Sequence, residues 1–183
     1  CTQKPRASTG LLTRSGKNFQ QGENTMFRPL RRKKRELSEN AAKQLLHSAR
    51  RGVLAVNGDD GYPYAIPINY IYDEKAHRIY FHGAHAGHKV DAIRACDKVC
   101  FTVYGNEHIK DEAWAPYMQS VVVFGRCRLL ESCPETMALL KTLAMKYYPN
   151  EQIADQEMAS SGSAVQMYEI EIEHLSGKEV QER

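Results

Sequence analysis

Residues 53–82 read VLAVNGDDGYPYAIPINYIYDEKAHRIYFH, and their pattern decides the fold class. Residues 53–56 are a short apolar run, and the following Asn57-Gly58-Asp59-Asp60-Gly61 is a strong turn signal. Residues 62–72 alternate with a period of two. Tyr64, Ile66, Ile68 and Tyr70 lie on one side, and Ala65, Pro67, Asn69 and Ile71 on the other. Pro63 and Pro67 cannot donate to a sheet ladder, which predicts an edge, bulged or bent strand. Backbone groups left unpaired there are available to a ligand. Asp73-Glu74-Lys75-Ala76 turns the chain into residues 78–82, completing a predicted three-stranded meander.

The third strand runs into a second informative stretch, residues 80–100, YFHGAHAGHKVDAIRACDKVC. The strand ends at His82-Gly83, a loop of small residues follows, and His88-Lys89 opens an amphipathic segment with Val90 and Ile93 three apart. A strand, a glycine loop and a helix start carrying cations suit an anion, because free N–H groups and the helix dipole attract phosphate. Lys89 and protonated His88 add charge. His82, His85 and His88 recur every three residues, and imidazole is a common metal ligand. The spacing fits no zinc pattern, even with Cys96 and Cys100 nearby, and the reading is against a metal. His85 reads as a surface loop residue.

Farther out, residues 99–104 and 120–130 are apolar strand patterns, the latter with Gly125 as a bulge, and residues 165–172 alternate as a sixth strand. Residues 105–119 read as polar and irregular, and His174-Leu175-Ser176-Gly177-Lys178-Glu179 as a closing segment. Ser38 is an N-cap for a helix with Leu37, Ala41, Leu45 and Ala49 on one face, ended by Gly52. Pro134 opens a second helix with Met137, Leu140, Ala144 and Tyr147 on one face, stopped by Pro149. Six strands joined mostly by tight turns predict a mainly β fold, a small antiparallel barrel with peripheral helices. No GxGxxG or Walker pattern supports a Rossmann or P-loop site.

The 183 residues suit one domain, and no apolar run is long enough to cross a membrane. Five cysteines with no CxxC predict free thiols in a reducing, cytoplasmic setting, with Cys96 and Cys100 as buried apolar residues. Residues 1–25 are polar and read as a disordered leader or one foreign to the native protein, with Met26 as a natural start. The basic arm, residues 26–37, holds six basic residues between Arg28 and Arg35. From residue 36 onward, 15 basic residues face 21 acidic ones, so the folded domain, residues 38–183, is mildly acidic. The arm reads as a solvated segment pairing with that acidic body. Nucleic acid is the less favoured partner, because no aromatic residues interleave the charges.

Four blocks carry a family resemblance: GVLAVNGDDGYPYAIPINYIYD, IYFHGAHAGHKVDAIR, SVVVFGRCRLLE and HLSGKE, in that order. Together they resemble the 5-nitroimidazole resistance (Nim) branch of the pyridoxamine 5′-phosphate oxidase-like flavoproteins. The resemblance implies an FMN-binding split barrel, a homodimer with flavins at its interface. It places His82 beside the flavin, His88 and Lys89 at the phosphate, and Ser120 and Val121 on a strand approaching the cofactor. Many relatives carry Arg where His88 stands, and the true oxidase's pyridoxal-phosphate residues are not recognisable. The residues alone also offer the parts an FMN site needs: cations for phosphate, the Pro67-Ile68-Asn69 backbone for the ring, and His82-Gly83 at the reactive edge.

The expected function is an FMN-dependent oxidoreductase passing electrons from reduced flavin to a small nitroimidazole-type acceptor, with NADH or NADPH as a donor. Trp114 or Tyr117 would hold a planar acceptor, and Trp114 equally suits dimer packing. The alternative is a flavin- or haem-binding carrier or sensor without robust turnover.

Overall fold

The computed structural model describes residues 26–109 and 116–181. Its strands are β1 (Arg51–Asn57), β2 (Pro63–Asp73), β3 (Arg78–Gly83), β4 (Lys98–Ile109), β5 (Pro116–Leu129) and β6 (Gln166–Gln181). Its helices are α1 (Glu39–Ser48), α2 (His88–Ala95), α3 (Pro134–Tyr147) and α4 (Glu151–Ser161). All strand pairings are antiparallel, and the barrel closes in the order β1-β2-β3-β6-β5-β4. The mainly β barrel with peripheral helices is therefore as the pattern predicts.

β2 changes partner midway. Residues 63–69 pair with β1, and residues 70–73 pair with β3. The handover leaves one free edge on each half, which makes the barrel a split one. Alternating aromatic and aliphatic residues fill its interior: Tyr70 meets Phe101 edge-on at 4.8 Å, and Phe81 stacks on Tyr168 at 4.7 Å. Leu45 and Leu46 of α1 add to this core. α3 lies outside the barrel, where Leu140 and Leu143 form a second cluster with Tyr80 and Met167.

Local signals account for most element ends. The Ser38 hydroxyl accepts from the Ala41 N–H, and Pro134 stands at the first turn of α3. Gly125 sits at a register shift between β5 and β6, where a Cβ would lie 2.2 Å from the Glu171 carbonyl oxygen.

Four expectations change. Gly52 does not cap α1, which ends at Ser48; it lies in β1, and a Cβ there would stand 2.1 Å from the Phe101 ring. The buried face of α1 is Ala42, Leu45 and Leu46, because Leu37 and Ala49 fall outside the helix. Residues 105–109 and 116–119 are strand rather than irregular, paired with a shift between Gly105 and His108. Their alternation is invisible because this hairpin projects past the core. His174 to Lys178 continue β6, held by β5 through Gly177 and Lys178. α4 was missed: its Asn150 cap accepts from the Ile153 N–H, but Ala154 is its one buried residue, so no apolar stripe marks it.

The leader lies outside the described residues. The basic arm contains a 3-10 turn at Lys33–Arg35, and Leu37 donates its N–H to the Gly177 carbonyl. Phe27 stacks on His174 at 4.7 Å and on Phe124 at 5.7 Å. No helix among the described residues is long and apolar enough to cross a membrane.

Candidate functional site

The free edge of β2 is the first component of the site. Gly58 N–H bonds the Tyr62 carbonyl, so the even residues of β2 are those hydrogen-bonded to β1. Ala65, Pro67 and Asn69 therefore turn their backbone groups to the opposite edge, where β3 has not yet joined. Pro63 and Pro67 fall on this parity, so their missing N–H groups cost no ladder bond. Ile68 itself is buried in the core.

His82 and Gly83 end β3 beyond its pairing with β2 and are held by Met167 and Gln166 of β6. His82 is exposed and has no hydrogen-bond partner among the described residues. Burial by the protein packed around its ring, and the nearby positive charge of Lys89, hold its pKa below the ordinary histidine value. It is thus neutral at pH 7, with one ring nitrogen donating and the other accepting.

Lys89 turns inward from the start of α2. Its Nζ lies 5.5 Å from the Phe81 ring centroid and 5.1 Å from that of Tyr168. A Cβ at Gly83 would stand 2.5 Å from this Nζ, so glycine gives the lysine room. Burial lowers the Lys89 pKa, and burial likewise pushes the neighbouring Cys127 thiol up to about 12. Gly87 caps α2 at φ 122°, a conformation that favours glycine, and leaves the first N–H groups of the helix open.

The structure separates the other expected members. His88 turns away from Lys89, stacks on Tyr64 at 4.2 Å and reaches Asp59 at 3.5 Å. His85 meets the Gln166 side chain at 3.2 Å. No three His, Cys, Asp or Glu among the described residues are grouped to hold a metal ion. Ser120 pairs with Lys178 on β6, whereas Gly83 pairs with Gln166, twelve residues earlier on that strand. At ~3.3 Å per residue this places Ser120 and Val121 far from His82 within one chain. Val121 is also fully buried. Tyr117 stacks on His108 at 5.2 Å in the projecting hairpin, and Trp114 lies outside the described residues.

Sequence reasoning missed the cavity beside His82. About 220 Å³ in volume, it is lined by His82 and Asn69 and walled by α3 and α4, with Leu140, Leu143, Met158 and Val165 supplying apolar surface and Tyr148 and Ser161 adding hydroxyls. The Arg51 Nε donates to Asn69 Oδ1 at 3.3 Å, which leaves the Asn69 amide N–H₂ unused. A larger groove of about 1050 Å³ lies between α1, the β2–β3 turn and α3. Its Lys43 is already paired with Glu39 and Glu74, and its His47 with Glu74. That groove also holds the Tyr72 hydroxyl, buried without a hydrogen-bond partner among the described residues. The smaller cavity is the better candidate because it lies beside His82 and the open edge of β2.

Comparison with known proteins agrees with this architecture. The pyridoxamine 5′-phosphate oxidase family description matches residues 38–179. No curated protein matches the chain. A candidate 5-nitroimidazole antibiotic resistance protein from Bacteroides thetaiotaomicron superposes with a TM-score of 0.66 at 16% identity, over 80% of this chain and 87% of that one. A FAD-binding protein from Mesorhizobium loti gives 0.60 at 24% identity, over 80% and 97%. A FAD and heme binding protein from Mycobacterium smegmatis gives 0.61 at 17% identity, over 80% and 72%. At these identities the likenesses show a shared fold. The match over residues 38–179 assigns the chain to the pyridoxamine 5′-phosphate oxidase family.

Proposed function

We propose that this chain binds a flavin, FMN, and passes electrons from the reduced ring to a small acceptor, with a 5-nitroimidazole as the reference compound. One observation carries the reading: an unpaired strand edge, a glycine-capped helix start, an inward lysine and an unpartnered imidazole meet at one end of the barrel. The family membership and the neighbours named as FAD-binding support it.

The residues fit the group. The Pro67 carbonyl and the Asn69 backbone face outward to meet a pyrimidine edge, and the α2 N–H groups with Lys89 suit a phosphate. His88 joins them only by leaving Tyr64 and Asp59. A bound flavin supplies the electron transfer. His82, neutral at pH 7, supplies an N–H hydrogen-bond donor to the acceptor beside the cavity, and the proton comes from solvent. NADH or NADPH is the donor to be tried first.

The reading includes a homodimer, because Ser120 reaches this end of a barrel only from a second copy; Val121, fully buried in its own core, positions that strand. The outer face of β4 and β5 offers Tyr104, 61% exposed, and Phe124, 39% exposed, as apolar contact surface. Free Cys96, Cys100, Cys127 and Cys133 suit a reducing compartment such as the cytoplasm. A haem-binding carrier is the second reading, on the strength of the neighbour that binds FAD and heme.

Absorption of the purified full chain tests both. A flavin spectrum that bleaches with NADH or NADPH, and a released cofactor with the mass of FMN, are expected. A haem Soret band, or no uptake of added FMN, overturns the proposal. His82→Ala keeps its flavin and loses acceptor reduction; equal reduction by the two proteins removes the role of His82. Lys89→Met weakens FMN retention roughly ten- to a hundredfold, matching a charge-assisted contact of ~1.5–3 kcal/mol.

A further inference from the structure

The basic arm is pinned to the barrel at both ends. Phe27 stacks on His174 at 4.7 Å, and the Leu37 N–H bonds the Gly177 carbonyl at 3.0 Å. Both anchors lie on β6, three residues apart, which is ~10 Å along a strand. The ten residue steps from Phe27 to Leu37 would span ~33 Å if extended. The surplus is taken up by the 3-10 turn at Lys33–Arg35 and by a loop over the barrel surface.

That loop carries unspent charge. Residues 28–35 hold six basic side chains and no acidic one. Arg28, Arg31, Arg32, Lys33 and Lys34 are all exposed. The expected pairing with the acidic body is not met for these five, none of which has an ion pair among the described residues. The body's own cations take its carboxylates: Lys43 holds Glu74, Arg78 and Arg128 hold Glu169, and Arg126 holds Asp97 and Glu173. Glu36 and Glu179 share a small hollow with Lys34 and Arg35 but close no ion pair to Lys34. Like charges gathered in so short a segment repel one another and favour an outside anion.

The side chains among the cations select the kind of anion. Phe27, the arm's aromatic residue, is already stacked on His174 and Phe124, so the loop offers no face to a single-stranded base. Met26 is 79% exposed and Leu30 is partly exposed, so apolar groups flank and interrupt the charges. A duplex backbone gives these groups nothing to contact, whereas the headgroup layer of a bilayer takes cations and apolar side chains together. From residue 36 onward 15 basic residues face 21 acidic ones, so a negative surface repels the body and meets the arm alone. We propose that residues 26–34 dock this protein reversibly on an anionic bilayer surface, with the five cations at lipid headgroups and Met26 and Leu30 among them.

The test is co-sedimentation of the full chain with vesicles of phosphatidylcholine, alone or with about one-third phosphatidylserine. Binding to the mixed vesicles alone is expected, and it should weaken between about 0.1 and 0.5 M salt. Each cation at an anionic surface is worth roughly fivefold, so Arg31→Gln with Arg32→Gln should weaken binding roughly twenty- to thirtyfold. Both residues are exposed and unpartnered among the described residues, so the thermal midpoint should not move. Met26→Ser with Leu30→Ser should remove the binding that survives high salt. Lys4→Gln with Lys17→Gln takes equal charge from the segment before the arm and should cost less.

A chain that stays in solution with the mixed vesicles, or sediments equally with both kinds, overturns the proposal. So does an Arg31, Arg32 variant that binds as the wild type does, or a Lys4, Lys17 variant that loses as much. A short DNA duplex that strips the protein from the vesicles at equal phosphate concentration makes nucleic acid the occupant of the arm and overturns the lipid assignment.

Discussion

The two halves of β2 present opposite solutions to one problem. Each half has a single strand partner and one free edge. Past Asn69, the free edge is closed by α3: the Tyr147 hydroxyl bonds both backbone groups of Tyr70 and the Arg50 carbonyl, and Lys146 lies 4.2 Å from the centre of the Tyr70 ring. Before Asn69, the edge is left uncovered, and two prolines remove donors from it. The covered half is a structural joint. The uncovered half is where an unsatisfied backbone, Asn69 and His82 come together. Whether an edge is closed or left open here depends on whether a side chain from another element reaches it.

Removing the cover gives the largest expected effect. Tyr147→Phe leaves the Tyr70 N–H and two carbonyls without their hydroxyl partner, at a cost of about 1–3 kcal/mol. Urea unfolding reads this directly, and an unchanged midpoint would show that water replaces the hydroxyl without loss. The same joint carries a pH dependence. Burial, and then the positive charge of Arg50, pull the Lys146 pKa down from 10.5 to about 8. Between those two values the unfolded chain holds a proton that the folded chain has shed. Stability therefore rises with pH from about 8 towards 10.5, and the penalty is fully present below about 8. Lys146→Met should flatten this rise relative to the wild type; parallel stability curves across the window would refute it.

The smallest effect is expected on the open half. Pro67→Val restores an N–H on a free edge and suits a strand, so folding stability should move by less than ~1 kcal/mol. The restored donor makes the edge a better template for another strand. Sedimentation at high concentration should show more self-association than wild type, suppressed by FMN. A variant as monodisperse as its parent would mean that something other than proline protects the edge.

Much of the barrel was legible because its signals are local. Alternation in residues 64–71, the turn at Asn57-Gly58-Asp59-Asp60-Gly61, the Ser38 cap and Pro134 at a helix start each depend on neighbours in sequence. α4 was not legible, since it buries Ala154 alone and lies on α3 and the surface. The end of β6 was hidden because Ser176, Gly177 and Lys178 look like a loop until β5 pairs with them. Gly52 read as a helix cap because a cap and a close approach both call for glycine; the Phe101 ring, 49 residues on, decides between them.

The site divides in the same way. His82, Gly83, Lys89 and Asn69 could be picked out by residue type and spacing, and the fold gathers them at one end of the barrel. His88 and Lys89 are adjacent and both cationic when protonated, which made them look like one cradle. The direction of each side chain depends on what stands opposite: Asp59 and Tyr64 draw His88 one way, and the faces of Phe81 and Tyr168 hold Lys89 the other. The sequence by itself determined the strand periods, the turn chemistry, the prolines on one parity of β2 and the stock of reactive side chains, because those are properties of a few consecutive residues. Tertiary structure alone decided which edge α3 would cover, which helix would wall the cavity and which way each cation would face, because those are contacts between residues tens of positions apart.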